Sequence, residues 1–379
     1  MQNPFYLQEI PVTLPFCDRT KELNELESYA KAKANVVLYS PRRYGKTSLV
    51  KRVQKKLADQ DAITIFADFF GVTSEDDVAA RLTKAVFAVT HKKNSLWKSA
   101  INLIQSFRPI LRPNPDGGFS LSVEPANTGK SGMSLLEETM ESLGKFIHAN
   151  STLINITLDE FQEIVTLKTS LQIEALLRTH IQSHHASYFF VGSRRRILLG
   201  IFNEQQRPFF QSSINYPIPP LPRNELAEFI AAQFIENGKS CSIDLADKLA
   251  GSVQYHPYYS QKLAFFVYEL GNAVTKKMIG HGLTQLIGSE KPVFEAILQG
   301  LTPKQRLLLQ TLAKAPTRKI LASSYIQRYR LGSIGGIQHS IKYLDEMDLI
   351  EKDETTRCWQ PVDPVFARWL DLTDKEELE

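Results

Sequence analysis

Gly45-Lys46-Thr47 has the chemistry of a phosphate site. A lysine ammonium just behind a glycine can reach the β- and γ-phosphates of a nucleotide, and the hydroxyl after it can hold Mg2+. The triplet lies in the stretch Ser40, Pro41, Arg42, Arg43, Tyr44, Gly45, Lys46, Thr47, Ser48, all of which we expect to line a nucleotide. The apolar run NVVLY precedes it and the helical pattern KTSLVKRVQKKL follows, which is the strand-loop-helix setting such a loop needs. Gly45 lets backbone amides face phosphate oxygens, and the helix starting near Lys46 adds the positive end of its dipole. Ser40 stands where the pattern opens with glycine. Pro41 fixes its own φ and biases Ser40 toward an extended conformation, so the chain can leave the strand without that glycine. The plainer alternative for the triplet is a basic helix start.

Further groups extend this chemistry. TLINITLDE is an apolar strand ending in Asp159 and Glu160, at the edge where α/β sheets place their ligands. Asp159 would sit beside the metal, and Glu160 would orient or deprotonate the attacking water. Alternatively, a strand simply closes on two solvated acids. The run SYFFVGS ends in Ser193 followed by Arg194, Arg195 and Arg196, with Ser193 or Arg194 able to face the γ-phosphate and Arg194 the better phosphate sensor. Arg207 could sense phosphate within the chain, act as an arginine finger in a neighbour's site, or form a salt bridge. No guanine-reading NKxD-like segment follows, which favours adenine.

These groups need a scaffold. With 379 residues, 43% hydrophobic and 23% charged, the chain has the composition of a soluble globular protein with two or three cored domains. From Asn35 to about Pro219, the β-rich runs NVVLY, ITIFADF, TLINITL, SYFFVG and INYPI alternate with helical stretches, as in βαβ units around a parallel sheet. We therefore expect an ATPase-type domain over 1–220, a helical domain over 221–300, a winged helix over 301–372 and an acidic tail at 373–379. PILRPNPDGGFSLSVEP (about 109–125) alternates on either side of Asp116-Gly117-Gly118 and reads as a β-hairpin insertion. The net charge of +4 does not announce nucleic-acid binding. Three scattered cysteines suggest neither disulfides nor zinc, and fit a reducing cytoplasm. No apolar run approaches the ~18 residues of a membrane span, so neither secretion nor membrane insertion is expected.

Together these residues resemble the archaeal-type P-loop ATPases, relatives of the AAA+ and STAND ATPases and of replication initiators, over nearly the whole chain. SPRRYGKTSL resembles the family's Walker A with its two arginines, LDEFQE its Walker B, and GSRRRILLGIFNEQQRPFF its sensor-1 strand and RPF segment. NPFYLQEIPVTLPFCDRTKELNEL looks like its opening NPF and its F-x-x-R-x-x-E-L box, here Phe16, Arg19, Glu22 and Leu23; the resemblance implies that Arg19 lies near the adenine. YHPYYSQKL resembles the lid's GHP motif, with Tyr255 in place of the glycine; in STAND-like relatives the proline packs on adenine and a histidine or nearby polar group can read phosphates, which the resemblance implies for Pro257 and His256, with a plain lid-core role as the alternative. The resemblance implies ATP and Mg2+ as ligands and an α/β P-loop NTPase sheet of order 5-1-4-3-2, with a helical lid and a C-terminal winged helix. No arginine stands at the AAA+ sensor-2 position, which weakens the case for a processive hexameric motor.

Three functions stay open on these residues: an ATP-driven conformational switch acting on a protein partner, a DNA-bound initiator-like ATPase, and a nucleotide-binding scaffold with negligible turnover. DNA is not favoured. On the expected recognition helix, about Ser333–Met347, the exposed face offers Gln338, His339 and Lys342 but then Asp345 and Glu346. At the wing, Asp353 and Glu354 precede the lone Arg357. Arg328 and Arg330 leave room for weak backbone contact. The partner and the oligomeric state are not specified by these residues.

Overall fold

The computed structural model describes residues 3–90, 100–101, 104–113, 119–126, 129–353 and 356–376. They divide into two compact units. One holds 20–40 and 46–218; the other holds the segment ending at Arg19, Pro41–Gly45 and the chain from Pro219 onward.

The first unit is built on five strands rich in β-branched and aromatic residues: β1 (Val36–Tyr39), β2 (Ile63–Asp68), β5 (Ile154–Asp159), β6 (Ser187–Gly192) and β7 (Ile214–Pro217). Their order is β2-β5-β6-β1-β7, with every neighbouring pair parallel. Counting only these five along the chain, that is the expected order 5-1-4-3-2. β5 and β6 are buried along their whole length, as central strands of a parallel sheet covered on both faces must be. Register carries β1, β5 and β6 to a common edge, with Tyr39 opposite Gly192 and Leu158 opposite Phe190, so Ser40, Glu160 and Ser193 follow directly from adjacent strand ends.

Two buried features set that edge. Gln54, on the helix Lys46–Ala58, donates through Nε2 to Ile65 O (3.0 Å), Asn155 Oδ1 (3.0 Å) and Thr157 Oγ1 (2.9 Å), fixing the helix that begins with Lys46 and Thr47 against the sheet. Phe161 packs against Phe190, Phe202 and Phe209, with ring centroids 4.8, 5.8 and 5.6 Å away, and so anchors the 3-10 turn Phe161–Thr166 directly behind Glu160. The runs on either side of the expected turn pair antiparallel as β3 (Phe107–Pro113) and β4 (Phe119–Pro125). Asp116-Gly117-Gly118 itself lies outside the described residues.

In the second unit a single apolar cluster runs from Leu226 and Phe234 through Leu263, Leu286 and Phe294 to Leu309, Leu344 and Trp369. It joins the helices Arg223–Glu236, Ile243–Gly251, Pro257–Glu269 and Lys276–Gln299 to the winged helix. The latter comprises Pro303–Lys314, Ser323–Tyr329, Ile334–Glu346 and the antiparallel pair β8 (Ile350–Lys352) and β9 (Trp359–Pro361). A helix omitted from the sequence reading closes the fold, Pro364–Glu376, so Thr373–Glu376 continue a helix where a tail is expected. Asp363 caps it, accepting from the amides of Val365 and Phe366 at 2.9 Å each. Among the described residues no helix is long and apolar enough to cross a membrane.

Candidate functional site

The loop between β1 and its helix has left-handed backbone at Arg43 (φ 62°) and Gly45 (φ 81°); Ser40 is not among the positive-φ positions. The missing glycine is therefore not demanded by the turn at Ser40. Lys46, only 6% exposed, folds back so that Nζ donates to Ser40 O (3.0 Å) and Ser40 Oγ (3.3 Å). Ser48 is buried one turn into the helix.

Across the same edge, Thr47 Oγ1 donates to Asp159 Oδ2 at 2.8 Å, and Glu160 N donates to Asp159 Oδ1 at 3.0 Å. Asp159 is 5% exposed, and burial raises its carboxyl to about 6 against the opposing pull of the Thr47 bond. The Thr47 hydroxyl and the Asp159 carboxylate form a hard oxygen pair of the kind that takes Mg2+, and a cation there would offset the desolvated charge. Among the described residues no cluster of three His, Cys, Asp or Glu side chains could hold a metal. With two protein oxygens, the Thr47–Asp159 pair fits an ion that completes its shell with phosphate and water oxygens, as Mg2+ does beside nucleotides.

Glu160 has left-handed backbone (φ 49°). Its Oε2 accepts from Ser193 Oγ at 3.0 Å and also from Gln162 Nε2, which lies within LDEFQE but has no role assigned from the sequence. The structure thus brings Ser193 to Glu160, Thr47 to Asp159 and Lys46 to Ser40. The two arginines are held elsewhere: Arg194 pairs with Glu163 (3.3 Å) and Arg207 with Glu174 (2.5 Å). Glu174 is fully buried, and burial pushes its carboxyl up to about 7, opposed by Arg207. Arg207 thus forms an ion pair within the chain.

In the second unit Arg43, beyond its left-handed backbone, pairs with Glu290 (3.4 Å) and sets its guanidinium 4.4 Å from the Tyr258 ring centroid; Glu290 also accepts from Lys262 Nζ at 2.5 Å. Tyr44 meets the ring of His256 edge-on at 4.9 Å. His256 caps the helix Pro257–Glu269 through Nδ1, which accepts from Tyr259 N at 3.4 Å, and Pro257 takes the first helical position. Tyr255, in place of the motif's glycine, keeps a glycine-like φ of 55°. Its hydroxyl donates to Asp247 Oδ1 (3.2 Å) and its ring lies 5.3 Å from the Arg223 guanidinium. Arg19 is buried and donates through Nη1 to Pro219 O at 2.8 Å. Pro41 is half-buried and Arg42 exposed. The contacts of Arg43 with Glu290 and Tyr258 have no signal in the sequence, since nothing local ties position 43 to 258 or 290.

Residues 16–207 match the family described as an ATPase domain predominantly from Archaea, and residues 292–372 match a "Probable winged helix domain". The fold is similar to the Walker-type ATPase paby2304 of Pyrococcus abyssi (TM-score 0.72, 16% identity, covering 97% of this chain and 99% of that one). It is also similar to the Aeropyrum pernix ORC2 protein in its ADPNP-ADP complexes (TM-score 0.61, 13% identity, 98% of each chain). A third similarity is to the Aeropyrum pernix ORC1 protein in complex with DNA (TM-score 0.50, 14% identity, 99% of this chain and 97% of that one). No curated protein matches the sequence. The family match spans just over half of the chain and contains the loop, Asp159 and Glu160; the chain belongs to this family of ATPase domains found predominantly in Archaea.

Proposed function

We propose that this ATPase binds ATP with Mg2+ at the loop Ser40–Ser48 and Asp159, hydrolyses it at Glu160, and uses the cycle as a conformational switch acting on a protein partner. The observation that carries the site is the 2.8 Å Thr47–Asp159 contact on the strand edge that also bears Glu160 and Ser193. Mg2+, held by Thr47 and Asp159, would neutralise charge on the phosphates. Lys46 leaves Ser40 for the β- and γ-phosphate oxygens, and the loop amides near Gly45 face the same charge. Glu160 orients a water for attack on the γ-phosphorus and accepts its proton as the bond to the bridging β–γ oxygen breaks, giving ADP and phosphate. Arg194 acts as phosphate sensor by exchanging Glu163 for the γ-phosphate. Arg19, His256 and Pro257 serve the nucleotide's base and lid.

The switch reading is supported by Arg43 and Tyr44. These loop residues are engaged by Glu290, Tyr258 and His256, so a phosphate that competes with Glu290 for Arg43 alters the helices leading to the winged helix.

A second reading, DNA binding, draws on the relative solved with DNA. The charge on the winged helix argues against it. Gln338, His339 and Lys342 are exposed on Ile334–Glu346, but Asp345 and Glu346 share that helix, and Asp353 engages Thr356 at the wing. Glu354 lies outside the described residues. Steady-state phosphate release with and without duplex DNA separates the readings. We expect Mg2+-dependent release that DNA leaves unchanged, and duplex affinity no tighter than about 10⁻⁴ to 10⁻⁶ M at near-physiological salt. Nanomolar duplex binding lost in Arg328→Ala or Lys342→Ala would establish the DNA reading instead.

A further inference from the structure

We infer that Gln162 is a positioning residue for hydrolysis: its amide holds the Glu160 carboxylate with one oxygen tied and the other left for the attacking water. The inference rests on the proposed role of Glu160 and extends it to a residue two positions on.

Glu160 leaves β5 with φ 49°, an uncommon conformation for a side-chain-bearing residue, and the 3-10 turn follows at once. That turn puts Gln162, 1% exposed, beside the carboxylate, where Nε2 donates to Glu160 Oε2, the oxygen that also accepts from Ser193 at 3.0 Å. Two donors on one oxygen hold the carboxylate in place. The amide orientation follows from the partner, since the reverse would set oxygen against oxygen.

The opposite side of the amide carries the stronger argument. Gln162 Oε1 is buried and has no hydrogen-bond partner among the described residues, at a typical cost of about 1–3 kcal/mol. That cost is of the same size as the gain from a hydrogen bond to a charged carboxylate, so the amide adds little net stability over an apolar side chain of the same length. What the amide alone supplies is the donor to Glu160. Its place is also reserved: a Cβ on Gly192, the last residue of β6, would stand 1.9 Å from Oε1 and 3.0 Å from Cδ. Glycine at 192 is thus what lets the amide lie flat against the strand end. Tyr39, at the end of β1, pairs with Gly192 in register, so the same strand ends flank both the loop and this contact.

The test is steady-state phosphate release and ATP binding by calorimetry on the full chain. Gln162→Met preserves length and removes the donor; Gly192→Ala leaves Gln162 in place and pushes its amide aside. We expect each to lower kcat about 10- to 100-fold, the scale of misplacing a reacting group by an ångström, with ATP affinity and KM within about threefold of wild type. The double variant should fall no further than Gln162→Met alone, because both substitutions remove one contact. Wild-type kcat in Gln162→Met, or loss of ATP affinity in step with kcat, would overturn the inference. Glu160→Gln runs alongside: a slow Glu160→Gln beside a normal Gln162→Met removes the positioning role alone. Full turnover in Glu160→Gln would remove the proposed role of Glu160 and this one with it.

Discussion

Ser40 and Tyr255 occupy positions where the resembling motifs carry glycine, yet the backbone treats them differently. At Ser40 the left-handed turns have moved inward to Arg43 and Gly45, and the serine contributes instead a second acceptor for Lys46. At Tyr255 the demand remains: φ is 55°, and Gln254 before it is also left-handed at 54°. A side chain there costs on the order of 1–2 kcal/mol, and the tyrosine offsets this with its bond to Asp247 and its contact with Arg223. Gly251 makes room, since a Cβ there would come within 3.1 Å of the Tyr255 hydroxyl. A motif glycine is thus dispensable where the fold relocates the strained dihedral, and replaceable by a partnered side chain where it does not.

Among the substitutions that bear on this comparison of glycine positions, Gly45→Ala should have the largest effect. A Cβ at φ 81° meets no atom within 4 Å, so the penalty is purely torsional, of order 1–3 kcal/mol. The free alanine loop relaxes out of this conformation and ATP binding must restore it, so the penalty is read as a loss of ATP affinity of about 5- to 150-fold by calorimetry. An affinity unchanged in Gly45→Ala would show that the loop's glycine requirement lies elsewhere.

Tyr255→Ala keeps the strained φ and loses both partners, and denaturant unfolding should show a loss of about 1–2 kcal/mol. Tyr255→Gly should recover roughly 1 kcal/mol of that by relieving the backbone. A glycine variant less stable than the alanine variant would break the comparison. Tyr255→Phe isolates the hydroxyl, with an expected loss of about 0.5–1 kcal/mol at this half-buried site. The smallest change belongs to Ser40→Gly: Lys46 keeps the backbone carbonyl, and ATP affinity should stay within about fivefold of wild type.

Legibility in the sequence followed the range of the interactions. The sheet was readable because β-branched runs alternate with helical ones, and its strand order came with the family resemblance. Lys46, Thr47, Asp159 and Glu160 were readable because their chemistry is written in short motifs at strand ends. The closing helix also had its signal, Asp363-Pro364 before Val365, Phe366, Trp369 and Leu370, a cap and an apolar face that the reading of an acidic tail overlooked. Arg43–Glu290, Arg207–Glu174 and the orphaned Gln162 oxygen were not readable, because each depends on side chains meeting through tertiary packing that leaves no periodic trace.

The central claim is that Lys46 and Glu160 divide binding from hydrolysis at one ATP site. Calorimetry of ATP with Mg2+ on wild type, Lys46→Ala and Glu160→Gln, paired with phosphate release, tests it most directly. Lys46→Ala should show no measurable binding, and Glu160→Gln should bind like wild type while releasing phosphate at least about 100-fold more slowly. Equal ATP affinity in Lys46→Ala and wild type would contradict the account.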